Sequence, residues 1–374
     1  MNADILPPWV AAYIIPFFSL SYPMDPPPKS DSFQDYPHFG NGWLDVCTII
    51  GLISAMAILR DLARLFLFEP FAHWKLARDL RAKKLAGKGR GSLSPSLKAK
   101  VVSNGTANGH HANGDAHEIT FTVVEKRRMH RSVLRFAEQG WALLCYSFQC
   151  GFGLYVHYNF PTKMWSPAAG IWSGYPSQHY PLPGPVKFYY LNETAFYIHG
   201  IFILTAEARR KDHIQMMSHH FIAIALMLLS YFWNFTRVGC LIMLLMDICD
   251  VLLPLAKMIK YMGGSLSCDI VFGLFMFAWL ITRHILFMLV IASIYADFPY
   301  YSQFRWDPLN GYYASERIYI AFMVLMSLLQ VLQLIWFCTI LRVAYKVLTG
   351  GGAEDDRSDD EDEEDEDDDQ KKDR

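Results

Sequence analysis

The chain has 374 residues, of which 52% are hydrophobic, 15% aromatic and only 19% charged, an inventory too apolar to clothe a soluble protein of this length. The formal net charge of −2 conceals an asymmetry: residues 354 to 374 hold 15 Asp/Glu against 4 Lys/Arg, a net −11, and the residues before them carry 30 basic against 21 acidic groups, a net +9. A disordered chain, a disulfide-stapled secreted domain and a coiled coil are excluded, and an all-α polytopic membrane protein is indicated.

The first apolar stretch, Trp9 to Tyr22, lacks a basic leader and is interrupted by Pro16, which predicts an interfacial helix rather than a signal peptide. A bilayer core about 30 Å thick needs roughly 20 apolar residues per helix at about 1.5 Å rise. Windows of that kind fall at 43–66, 139–158, 187–207, 214–235, 237–256, 266–294 and 318–345, so about seven transmembrane helices are expected. Residues 1–42 precede them, 67–125 read as a basic linker with low complexity at 87–117, and 347–374 form an acidic tail. The connection between the fourth and fifth windows is so short that these spans must be antiparallel neighbours.

Fourteen Lys and Arg lie between Phe71 and Arg135; Arg209, Arg210 and Lys211, then Lys257 and Lys260, then Arg342 and Lys346, fall on the same side of a seven-span topology. The positive-inside rule makes that side cytosolic, with the N-terminus lumenal and the C-terminus cytosolic. Seven cysteines without CxxC spacing read as small buried apolar groups. The sequons at Asn104, Asn192 and Asn234 fall in the cytosol or against the membrane, so no glycan is expected on them.

Polar residues inside the spans carry the chemistry. His219 and His220 are adjacent in the fourth window; Asp247 and Asp250 are three apart in the fifth and share a helix face. Insertion of an Asp at a helix centre costs about 2.5 to 3.5 kcal/mol, so both must face the bundle interior. Helical rise puts His220 about 13 Å beyond Lys211, and Asp250 and Asp247 roughly 10 and 15 Å from Lys257, all at one level. Adjacent helical residues point about 100° apart, so one imidazole reacts while the other orients it or packs. Such a set suits general-base or nucleophilic acyl transfer to an amine or hydroxyl. Hydrogen-bonded core histidines and a metal site are the alternatives, although HH is a poor ligand spacing beside i, i+4. Trp279 and Arg283 form a further intramembrane group toward the lumenal side, suited to structural pairing or to substrate, and His199 either packs or lines the same cavity.

The segment from Tyr189 to Gly263 holds RRKDxxxMxxHH and MDxxD elements at residues 209–220 and 246–250, with WSGYP at 172–176. It resembles the Lag motif of ceramide synthases, the longevity-assurance group of TLC-domain proteins, and the whole is most similar to fungal members; the likeness covers about residues 125 to 345. The resemblance implies a TLC unit at 126–346, six helices forming a barrel around a long cavity, with the first span outside it. It implies acyl-CoA-dependent N-acylation of a long-chain sphingoid base in the endoplasmic reticulum, with acyl-CoA as co-substrate and no resident cofactor or metal. The catalytic set carries over to His219, His220, Asp247 and Asp250, with substrate contacts expected at His199, Trp279 and Arg283. Arg209, Arg210 and Lys211 suit CoA phosphates or a membrane-surface anchor. The lumenal stretch 295–308 is expected to influence acyl-chain length. HHFIA stands where many members have HHIVT, and 71–125 does not resemble the homeobox-like insert of some animal members.

Partners implied are the sphingoid base, acyl-CoA, membrane lipid, a second copy or paralogue, and a small accessory subunit, with no nucleic acid. Ser358, in RSDDED, resembles a site for an acidophilic kinase, and Lys371 with Lys372 resembles a dilysine retrieval signal. A non-catalytic TLC-type lipid-binding or lipid-transport protein and a metal-dependent lipid hydroxylase are the rival readings; the second lacks the several HxxxH clusters that chemistry needs.

Overall fold

Apolar runs in lipid must close their backbone hydrogen bonds internally, and helices result almost throughout. The computed structural model describes residues 13–27, 30–91, 121–163, 167–175, 177–206, 212–302, 304–307 and 312–349. Helix α1 (Asp45–Ala63) runs through a π-helical turn at Arg64–Phe68 into α2 (Glu69–Gly91). Pro70 accounts for that turn, because it offers no N–H to the carbonyl one turn back and its ring crowds that carbonyl. The Glu69 amide accordingly bonds to Arg64, five residues back.

Helix α3 (Val123–Tyr158) starts at a reciprocal cap: the Glu125 amide donates to the Thr122 hydroxyl, and the Thr122 amide donates to the Glu125 carboxylate at 2.8 Å. Lys84 of α2 reaches the same carboxylate at 2.7 Å and, with the Thr122 amide, holds Glu125 below the usual carboxylate range. Short α4 (Pro167–Trp172) precedes α5 (Gly184–Ala206) and α6 (His213–Phe232). A tight turn with Asn234 at φ 59° leads into antiparallel α7 (Thr236–Tyr261); asparagine tolerates that left-handed backbone. Helices α8 (Ser265–Trp279) and α9 (Phe287–Ala296) are continuous through a π-helical segment, Leu280–Leu286, and α10 (Phe298–Ser302) and α11 (Glu316–Leu348) complete the bundle.

Among the described residues, five stretches are long and apolar enough to cross a membrane: Asp45–Ala86, His213–Phe232, Thr236–Tyr261, Leu266–Ala296 and Glu316–Leu348. The other two expected windows, 139–158 and the described part of 187–207, are helical within α3 and α5. They are less apolar because Gln149, Lys187, Asn192, Glu193 and His199 sit on them, and all five are buried against neighbouring helices. Of the stretch Trp9 to Tyr22, the described residues begin at Tyr13, which is helical, and continue through a 3₁₀ turn at Ile15–Phe17; Pro16 within it offers no N–H to the hydrogen-bond ladder.

One end of the bundle carries a small antiparallel sheet, β1 (Pro23–Met24), β2 (His38–Phe39) and β3 (Leu182–Pro183), in which Met24 pairs with His38 and Phe39 with Leu182. A second ribbon joins β4 (Trp306–Asp307) to β5 (Tyr312–Tyr313). Beneath the first sheet Lys187 is fully buried. It meets Asp45 at 2.6 Å and donates to the Ser21 and Gly40 carbonyls at 2.8 and 2.7 Å, while Tyr231 donates to Asp45 at 2.7 Å. Arg237 pairs with Asp31 and also donates to the Gln178 carbonyl at 3.3 Å. His179, beside that guanidinium, lies with Nε2 3.0 Å from the Ser173 carbonyl, which only accepts, so this nitrogen carries the hydrogen and donates it. Burial first, and Arg237 second, push its imidazole down to about 3.

Candidate active site

Half of helix α7 is buried, and it presents Asp247 and Asp250 one turn apart. Asp250 meets Arg283, which reaches it from the π-helical segment: one guanidinium nitrogen donates to Asp250 Oδ1 at 2.7 Å and to the Met246 carbonyl at 2.8 Å. The guanidinium lies over the Trp279 ring, 4.2 Å from its centre, a cation–π contact that strengthens away from water. Sequence depth alone set Arg283 nearer the other membrane face. A long side chain and the wider turn of a π-helix bring it back to the level of the aspartates.

Asp247 has different company. It is buried, with the Tyr189 hydroxyl 3.5 Å away, and the Glu193 carboxyl of α5 lies within side-chain hydrogen-bonding reach of it. Glu193 is fully buried, and neither of its oxygens meets an N–H or O–H donor. Tyr189, Glu193 and Tyr197 are four residues apart along α5 and so share a face.

The imidazoles diverge as the 100° helical step requires: their rings are 87° apart in orientation, with centres 5.7 Å apart. His220 Nδ1 lies 2.8 Å from the Met216 carbonyl; a carbonyl only accepts, so Nδ1 carries the hydrogen and Nε2 keeps its lone pair. That Nε2 is accommodated by Gly200 of α5, where an added Cβ would stand 2.7 Å from it. His219 packs its ring edge-on to Trp336 at 5.2 Å, with Nδ1 buried and unpartnered. Among the described residues no hydrogen bond joins either imidazole to Asp247 or Asp250; His220 lies within electrostatic reach of Asp250. A backbone carbonyl, rather than an aspartate, thus orients His220.

His219 and Tyr197 stand at one end of an apolar cavity that runs between α6, α7 and α11 to an aromatic cap of Trp172, Phe235, Phe298 and Phe322. From His219 to Ser230 along α6, both on its wall, the helical rise gives about 16 Å. His199, by contrast, does not border this cavity; it is buried on the side of α5 that faces Arg60 and Asp61. Arg209, Arg210, Lys211 and Ser358 lie outside the described residues. Sequence reasoning gives Glu193, Tyr189 and Gly200 no role in the site; the available signal was polar and small residues at helical spacing inside an otherwise apolar window.

Residues 135–342 match the TLC domain family, a range that includes every site residue described above. The chain is 39% identical to the sphingosine N-acyltransferase lag1 of Schizosaccharomyces pombe over 60% of its own length and 56% of that protein. It is 34% identical to the ceramide synthase FUM18 of Gibberella moniliformis (59% and 57% covered) and 36% identical to ceramide synthase 4 of Homo sapiens (58% and 52% covered). The chain thus spans about half the length of the curated relatives it matches.

Proposed function

This chain belongs to the TLC-domain family, and from that premise we propose that it is a ceramide synthase, an acyltransferase that joins the acyl group of acyl-CoA to the amine of a sphingoid base. The observation that carries the reading is the cavity: a reactive imidazole, His219, stands at one end of an apolar channel about 16 Å long, with a carboxylate–guanidinium cluster beside it. The lining suits a fatty acyl chain in its chemistry, because it offers apolar contact along its length and almost nothing polar to leave unpaired.

In this reading the acyl carbonyl sits at His219, and Asp247 and Asp250 receive the ammonium of the base. An alkylammonium is protonated at neutral pH, with about 10.4 for lysine as a guide, so it must lose a proton before attacking. The ammonium gives up one proton to solvent; the C–N bond then forms, the C–S bond to CoA breaks, and the second proton taken from nitrogen goes to the departing thiolate. His219 moves that proton as general base and acid, or carries the acyl group transiently on nitrogen. His220, with its tautomer fixed by Met216, supports it. No cofactor beyond the co-substrate enters.

Six helices, α3, α5, α6, α7, α8 with α9, and α11, form the barrel, and α1 stands outside; counted together they are the seven spans of an endoplasmic-reticulum protein with a cytosolic C-terminus. Acyl-CoA arrives from the cytosolic side, where Arg209, Arg210 and Lys211 meet its phosphates, and residues 295–308 bear on chain length. Ser358 is a kinase site, and the protein works with a second copy and a small subunit.

The test is to incubate membranes containing the protein, with any accessory subunit co-expressed, with a long-chain base and acyl-CoAs of graded length. An N-acylated base is expected, lost on replacing His219 and His220 together by alanine. No such product at any chain length from folded protein overturns the proposal and favours a lipid-binding role.

A further inference from the structure

Glu193 is the one buried acid near the site to which the reaction above gives no task. Its carboxyl oxygens meet no donor, and it faces Asp247. The ionisable groups within its electrostatic reach are Asp247, Asp250 and Cys240 of α7, Cys145 and Cys150 of α3, and Tyr189 and Tyr197 of its own helix. None is a cation. An ionised carboxylate without counter-charge or donors is the costliest group an interior can hold, and apolar side chains of the same volume would fill the position without that cost. Two carboxyl groups in contact, however, form a hydrogen bond once one of them carries a proton, as in other carboxyl dyads.

We propose that Glu193 is a positioning residue that acts through Asp247: the two carboxyls share a hydrogen bond that fixes the Asp247 side chain, together with the Tyr189 hydroxyl, so that its second oxygen faces the incoming amine. Asp250 needs no such support, because Arg283, itself steadied on the Met246 carbonyl, already donates to Asp250 Oδ1. The two aspartates are therefore anchored by unlike means, one by a guanidinium and one by an acid. The inference rests on the acyl-transfer reading above.

The experiment compares wild type, Glu193→Met and Glu193→Gln in the full-length protein, with kcat and KM measured for both substrates and thermal unfolding followed in detergent. Methionine matches the volume and removes the hydrogen bond, whereas glutamine restores it by donating its amide N–H to Asp247. Glu193→Met is expected to lower kcat by about tenfold to a hundredfold, the scale of a misplaced reacting group, with both KM values within about threefold of wild type and no loss of melting temperature. Glu193→Gln is expected to recover most of kcat. Wild-type kcat in a folded Glu193→Met overturns the inference. If the methionine variant does not fold, Glu193→Gln decides: kcat near wild type supports the inference, and a loss beyond about tenfold overturns it, since a retained hydrogen bond would then not suffice. Absence of product from wild type would instead sink the acyltransferase reading itself.

Discussion

The two ends of this bundle treat buried charge in opposite ways. Beneath the sheet, Lys187 meets Asp45 and Arg237 meets Asp31, one cation to one anion, with backbone carbonyls completing the coordination of both cations. Near the cavity, Asp250 meets the guanidinium of Arg283 while Asp247 and Glu193 face each other, and His219 Nδ1 and both Glu193 oxygens lack hydrogen-bond partners. Charge that only supports a fold is neutralised locally. The surplus of acid at the cavity is suited to receiving a positive group from outside, and the ammonium of a base has the required sign.

That contrast can be broken or sharpened experimentally. The largest effect is expected at the cavity: His219→Ala should lower acyl transfer by about a hundredfold to ten-thousandfold, the range for a lost general base, with the melting temperature maintained. Turnover assays on purified protein check it, and a near-wild-type rate would remove His219 from the chemistry. Under the sheet the reverse is expected. Lys187→Met leaves Asp45 without its counter-charge and should cost about 3 to 5 kcal/mol of stability, read by denaturation in detergent, while the fraction that remains folded turns over normally; adding Asp45→Asn should restore most of the loss.

A subtler probe is Gly200→Ala, whose new Cβ would stand 2.7 Å from His220 Nε2. Displacing that imidazole is expected to cost about tenfold or more in kcat. Gly151→Ala on α3 is the matched control, because its Cβ would meet nothing within 4 Å; it should leave activity alone and gain about 0.5 to 1 kcal/mol from helix propensity. The smallest effect concerns His179, outside the spans, which burial pushes down to about 3 from 6.5. The unfolded chain takes up the proton first, so this histidine's contribution is fully present above pH 6.5 and declines as pH falls toward 3. The slope is at most about 1.4 kcal/mol per pH unit. Melting curves of wild type and His179→Gln at pH 7.5 and 5.5 should converge at the lower pH.

Much of this arrangement is legible in the residues themselves. Apolar run length marks α1, α6, α7, α8 with α9, and α11, and the turn at Asn234 fixes α6 against α7, so the imidazoles and aspartates fall at comparable depth by counting alone. Counting fails where a side chain travels along the helix or the helix changes pitch, as Arg283 does on both grounds. Rotation about α5 is also beyond a window average. Glu193 and His199 are six residues apart on the same helix, yet one turns to Asp247 and the other to Arg60 and Asp61. Polar groups on α5 dilute the apolar signal of a helix that its neighbours largely enclose, since enclosure removes the need for a greasy outer face.

The widened turn at Leu280–Leu286 contains neither proline nor glycine. A π-helical turn holds one residue more than an α-helical one in the same rise, so this loop of backbone stores an integer. Deleting a single residue there would let the coil relax to an α-helical turn with the flanking stretches still in phase, while residues inside the turn rotate by up to about 100°, carrying the arginine off its aspartate and altering no side chain that any substitution scan would flag. For this stretch, heredity has a count to preserve as well as letters.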